Sequence, residues 1–311
     1  EEEQLKGRTD LRGEETFNGV WGRVIGNWGH SDGDALGIYG AGGPEFDYGF
    51  GAMQTGLDIY AREYENGVRD HTGLYFAFGH GDIDVTHNLD GRSSFDAGSD
   101  NFDAVTVGGY WTRFGENNWY LDGVMQGTWY HVTTKSRRDT QIGFPNQDDS
   151  GFGFAASLEA GYPFHFGDGW QIEPQAQLVY QNIHMNSFND SAAEIRFDDL
   201  DSFAGRIGAR LARSWAVEDG SDGKPARLAT NWGQLDVWHE FLDSSATTEF
   251  SSATGFIPFT ADIQQDWIEA SIGGSLQLTP NATVYGNVNY DTTFDANEQS
   301  VGGKVGLRMN W

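Results

Sequence analysis

The chain has no cysteine, only 7 prolines in 311 residues, and 19 Lys and Arg against 46 Asp and Glu, for a formal charge of −27. Without thiols there is neither a disulfide framework nor a thiolate metal site. So negative a chain repels a phosphate backbone, which excludes nucleic acid as a partner. No run of about 18 apolar residues is present, and this removes helical membrane spans. Mean hydropathy of −0.53 still permits a membrane β-barrel, in which only every second residue meets lipid. No basic stretch followed by an apolar one lies near Glu1, so we expect a mature or excised piece whose targeting segment is upstream.

What is abundant is glycine, with 43 residues, and aromatics, at 14 %. The glycines follow no triplet period, and the aromatics argue against disorder. Beyond the first eighteen residues, alternation of apolar and polar side chains dominates, and twelve stretches carry it. They are 19–30, 47–62, 70–80, 102–114, 118–132, 151–164, 169–185, 201–216, 228–243, 264–278, 282–291 and 300–311. Several exceed the ~9–11 residues that cross a membrane at a tilt. The connections after even-numbered stretches include very short ones rich in Gly, Asn, Asp or Pro, as hairpin turns demand. Those after odd-numbered stretches are mostly long and rich in Asp, Ser and Asn. Short turns at one end and long loops at the other describe an outer-membrane barrel. The expected fold is all-β: a twelve-stranded antiparallel transmembrane barrel over 19–311, preceded by a linker or plug segment over 1–18. The linker, EEEQLKGRTDLRGEETFN, is charged, and Gly7 and Gly13 interrupt any helix it forms.

In a closed barrel, parity assigns each side chain to lipid or lumen. The row Val301, Gly303, Val305, Leu307, Met309, Trp311 is expected to face lipid, with Lys304 and Arg308 turned inward. The same count puts Ile172, Leu178, Leu158, Ile207, Leu211, Ile272 and Leu276 outside. The expected lumen-facing set is Arg23, Asp58, Asp122, Glu159, Glu173, Arg206, Arg210, Glu240, Glu269, Lys304 and Arg308. A Lys or Arg at the lipid midplane would cost about 2–4 kcal/mol, so inward placement is favoured. Trp28, Trp119, Tyr120, Trp129, Tyr130, Tyr162, Trp170, Trp215 and Trp232 stand near strand ends and read as interfacial girdles.

Little in the sequence points to catalysis. The eight histidines are scattered, none with the spacing of a metalloprotease, so no metal and no cofactor are expected. A phospholipase barrel would need Ser beside His on the lipid face, and His239 has no such serine. Acidic loop residues such as Asp82, Asp84, Asp90, Asp96 and Asp100 read as solvated.

The stretches VWGRVIGNWG (20–29), AVTVGGYWTRFGENNWYLDGVMQGTWY (104–130), GFAASLEAGYPFHFGDGWQIEPQAQLVYQ (153–181) and FAGRIGARL (203–211) carry a resemblance. With the aromatic end at Trp311, they resemble the C-terminal translocator barrels of autotransporters, the pertactin-like and AIDA-like group. The resemblance implies a monomeric outer-membrane anchor of a Gram-negative bacterium that exports its own N-terminal passenger. It further implies a helical linker in the lumen, contact with outer-membrane lipid and lipopolysaccharide, and recognition by the barrel-assembly machinery. Val305, Leu307, Met309 and Trp311 would form that assembly signal. Some members of the family cut off their passenger with lumen acids, which makes Glu159, Glu173, Glu240 and Glu269 self-cleavage candidates, with no pair selected by spacing. A general diffusion porin is the alternative reading.

Overall fold

The computed structural model describes residues 19–32, 44–89, 92–136, 146–190, 193–218, 227–242, 245–262 and 266–311. Twelve long strands form the body. They are β1 (Gly19–Ser31), β2 (Glu45–Glu63), β3 (Arg69–Leu89), β4 (Arg92–Phe114), β5 (Tyr120–Ser136) and β6 (Gln147–Gly161), followed by β7 (Trp170–Met185), β8 (Leu200–Glu218), β9 (Arg227–Glu240), β10 (Asp266–Thr279), β11 (Ala282–Thr293) and β12 (Glu298–Asn310). Each pairs antiparallel with its neighbours in the chain, and β12 returns to β1 in a continuous register from Gly19↔Asn310 to Ser31↔Glu298. The twelve-stranded antiparallel barrel expected from the sequence is therefore the observed fold. Closure gives each of the twelve strands a hydrogen-bonded neighbour on both sides, as a lipid-embedded wall requires.

The turns at one end are tight. Between β4 and β5, the Gly115 amide bonds the Trp119 carbonyl at 2.8 Å, with Asn118 at φ 60°. Asn is among the few residues with a side chain that take this left-handed conformation readily. Gly67, at φ 78°, does the same between β2 and β3. At the opposite end the structure departs from the expected loops. The stretch 81–101 belongs mostly to β3 and β4, which continue as a projecting hairpin in which Gly81 pairs with Phe102 and Val85 with Gly98. Asp82, Asp84, Asp96 and Asp100 thus lie on strands, not in a loop. Beyond the membrane no lipid enforces alternation, so the sequence pattern fades where the hydrogen-bonded ladder does not. Likewise, parts of the expected loops 186–200 and 244–263 pair as a separate four-stranded sheet of Phe188–Asn189, Glu194–Phe197, Ser245–Ser252 and Gly255–Asp262. Strand β6 stops at Gly161, and Phe164–Phe166 forms a small hairpin with the start of β7. The segment 1–18, and with it the linker helix, lies outside the described residues.

Exposure follows parity. Ile207 and Ile272 are each 70 % exposed and Trp311 66 %, whereas Glu173 and Arg308 are 1 % exposed. Inside, the composition explains itself. Trp21 lies over Gly56, Tyr110 over Gly73, Tyr75 over Gly108 and Tyr120 over Gly161, each glycine directly opposite its aromatic on the adjacent strand. A Cβ added at Gly73 would sit 2.1 Å from the Tyr110 ring, and one at Gly56 2.5 Å from Trp21. Large inward rings are accommodated because the facing residue has no side chain, a cross-strand device that also pins register. Trp21, Tyr75, Tyr110 and Trp238, with Val124, Ala155, Val179 and Ala204, make one buried layer across the barrel.

Ile272→Arg, on the outward row of β10, should destabilise the barrel by about 2–4 kcal/mol in lipid vesicles, measured by denaturant unfolding. The same substitution at Gln299, exposed and beyond the apolar row, should change stability by less than about 0.5 kcal/mol.

Candidate functional site

The lumen is the candidate site, and its wall is knitted by side chains from alternating positions. Arg206 on β8 is the centre of one network. Its guanidinium donates to Glu159 at 2.9 Å, Asp236 at 2.6 Å, Gln177 at 2.7 Å and Gln175 at 3.2 Å, drawing together β6, β7, β8 and β9. Tyr120 adds a hydrogen bond to Glu159. Trp238 donates to Glu269 at 3.0 Å and stacks on Trp267 with centroids 5.3 Å apart. The second network crosses the closure seam. Arg308 on β12 donates to Asp58 on β2 at 2.7 Å, reaching past β1, and Tyr110 on β4 donates to the same carboxylate. Trp21 then donates to the Tyr110 hydroxyl at 3.2 Å. Arg23 donates to Gln54 at 2.5 Å.

Ten of the eleven charged residues assigned to the lumen by parity are buried, and Lys304 is half-buried against a cavity. The structure does not gather the four glutamates as one group. Glu159 holds Arg206, and Glu269 accepts from Trp238 and Ser271. Glu240 caps backbone amides of Phe203 and Leu242 at 2.7 and 3.1 Å, while Glu173 takes the Gln175 amide at 2.8 Å. Asp236 and Trp238 were not singled out from the sequence. Their signal was present, since both share the inward row of β9 with Glu240.

Three of the nine girdle aromatics point the other way. Tyr120 is buried at 3 % exposure, while Tyr130 and Trp232 line cavities inside. Tyr130 directly follows the outward Trp129, and adjacent residues of a strand cannot share a face, while Tyr120 shares the inward row of β5 with Asp122. Trp232 instead lies under the Arg210 guanidinium, 4.9 Å from its centroid.

The lumen opens into two chambers of unlike charge. Towards the long loops is a cavity of about 710 Å³ whose described lining includes Asp100, Glu240, Asp291 and Glu298 and no Lys or Arg. Towards the short turns is one of about 270 Å³, where Arg69, Arg206, Arg210 and Lys304 outnumber Glu173 and Glu269.

Outside, four histidines scattered in the sequence each pair with an aspartate across their own hairpin. His30 pairs with Asp47 and His80 with Asp103, both at 2.8 Å; His184 pairs with Asp199 at 2.6 Å and His239 with Asp266 at 2.8 Å. Each stands on the outward row towards the long-loop end of its strand, and His239 packs edge-on against the exposed Phe241 that follows it.

A family model for the autotransporter β-domain matches residues 20–289. The chain belongs to that family. It is the outer-membrane translocator domain of an autotransporter, from a Gram-negative bacterium, and the porin reading is not favoured. An autotransporter β-domain is linked to its own N-terminal passenger. The translocator is 24 % identical to the adhesin BmaC autotransporter of Brucella suis over 94 % of its length, and to the pertactin autotransporter of Bordetella bronchiseptica over 90 %. It spans only 8 % and 28 % of those relatives. Among solved structures, the transport unit of the autotransporter AIDA-I from Escherichia coli superposes with a TM-score of 0.75 at 15 % identity, covering 97 % of this chain and 93 % of the other. The translocator domain of NalP from Neisseria meningitidis gives 0.67 at 14 % identity, covering 100 % and 94 %.

Arg206→Met in the translocator should cost about 3–5 kcal/mol by denaturant unfolding, because Glu159 and Asp236 stay buried without their cation. Hydrogen bonds from His30 to Asp47, then to Asp32, hold the imidazole above its ordinary pKa of 6.5. A raised folded value means that the His30–Asp47 contribution is complete below the unfolded pKa and lost as pH rises through the folded one. An NMR titration should show the His30 midpoint falling towards 6.5 in Asp47→Asn.

Proposed function

We propose that the lumen is the route by which the N-terminal passenger reaches the cell surface, and that residues 1–18 lie within it. The observation that carries this reading is the direction of β1. It begins at the short-turn end of the barrel and runs towards the long-loop end. With long loops outside, as in outer-membrane barrels generally, whatever precedes Gly19 enters from the periplasmic side and must traverse the barrel to be displayed. Gly19 stands on the inward row: a Cβ there would lie 2.7 Å from the Asn310 side chain, 3.0 Å from Arg308 and 3.2 Å from Asp58. Its backbone is thus flush with the lumen wall where the preceding segment would join.

The wall suits passage rather than capture. Arg206 and Arg308 are bound to wall carboxylates, which lowers their pull on a polypeptide moving past. We assign no cleavage step to Glu159, Glu173, Glu240 or Glu269. The outward row Val301, Val305, Leu307, Met309 and Trp311 is 42–66 % exposed, and this is the surface we assign to lipid and to the barrel-assembly machinery. A closed wall offers another copy no free strand edge, in keeping with a monomer.

In planar bilayers, the chain should conduct poorly with residues 1–18 in place and several-fold better when they are deleted. Equal, high conductance from both proteins would remove the linker from the lumen.

A further inference from the structure

The outer chamber has two unlike walls. On β9, β11 and β12 it presents Glu240, Asp291 and Glu298; across from them β2, β4, β5 and β7 present Phe50, Phe102, Tyr130 and Ile183. Phe50 and Phe102 stack at 6.0 Å with their planes 12° apart, forming a flat apolar floor.

The acidic wall is only partly satisfied. The Glu240 carboxylate is taken up by the Ser202 hydroxyl and by the amides of Phe203 and Leu242, and Asp291 accepts from Asn289 and Ser300. No described group donates to the Glu298 carboxylate, and burial alone pushes its carboxyl above the usual range. On the neighbouring β1, Asn27 Oδ1 is buried with no donor, as is Asp100 Oδ1 on the rim of the apolar wall. Buried acceptors without donors are costly, and a carboxylate facing an aromatic surface calls for a positively charged group. A neutral occupant would leave Glu298 uncompensated, and an anion would meet four carboxylates.

We propose that the outer chamber is a binding site for a small organic cation with an apolar body, its ammonium against Glu298 and Asp291 and its body on Phe50, Phe102 and Tyr130. A cavity of about 710 Å³ matches the size of sites that enclose small ligands. The site lies apart from the wall networks of Arg206 and Arg308, on the axis along which the passenger is proposed to pass.

Isothermal titration calorimetry of the 311-residue chain in non-ionic detergent, with benzyltrimethylammonium, benzyl alcohol and benzenesulfonate as probes, tests this. The ammonium should give a saturable one-to-one heat, the alcohol should bind about tenfold more weakly or not at all, and the sulfonate should give no heat. Glu298→Gln should weaken ammonium binding about tenfold, and Phe102→Ala should weaken it as well. Equal binding of all three probes, no heat from any, or unchanged affinity in a folded Glu298→Gln protein would overturn the proposal. If that variant does not fold, the three probes on the unaltered chain decide.

Discussion

Everything in this molecule depends on the backbone having no partner but itself where lipid surrounds it. A single open edge in the hydrocarbon would leave a row of amides and carbonyls without donors or acceptors, so the sheet must close, and the β1–β12 ladder closes it. Closure then creates an inside. Every strand has one row facing lipid and one facing that inside, and the charge the chain carries within its spans has nowhere else to go. The exposed isoleucines and the buried arginines are two consequences of one geometric fact.

A closed lumen filled with charge would be unstable unless the charges were paired and the remaining space occupied. Arg206 and Arg308 each bind carboxylates from other strands, and Arg308 reaches over β1 to Asp58, so the closing strand is tied to β2 by a buried ion pair as well as by its ladder. Removing one partner of such a pair is far more damaging than the net worth of the pair suggests. The remaining space is taken by aromatic rings that lie over glycines of the next strand. The abundance of glycine and of aromatics is thus one feature, not two. The two end chambers that remain are unlike. The inner one is rich in guanidinium and amide groups, and the outer one sets carboxylates against aromatic rings. That asymmetry runs along the axis a passenger would travel.

Strand existence, strand number, facing and family were legible in the sequence because lipid enforces a period of two, and a period can be counted. The rows ending at Trp311 and passing through Glu173 or Arg206 could be read one residue at a time. What could not be read lies where that enforcement stops. The β3–β4 hairpin continues through residues expected as loop, and two loops meet as a separate sheet, because hydrogen bonding outside the membrane needs no alternating hydropathy. Tyr120, Tyr130 and Trp232 were assigned to the girdles from their place near strand ends, when their parity already put them inside.

The sequence by itself determined which side chains face inward and which face lipid, since that follows from order along each strand. Only the tertiary structure decided which inward residues meet. Asp58 finds Arg308 across 250 residues, and Glu159 finds Arg206 rather than another glutamate, because the register between strands and the curvature of the closed wall bring them together. Neither quantity is written in the alternation of any one strand. Likewise, the histidine–aspartate pairs at the outer rim exist only because the register within each hairpin sets the two residues opposite each other.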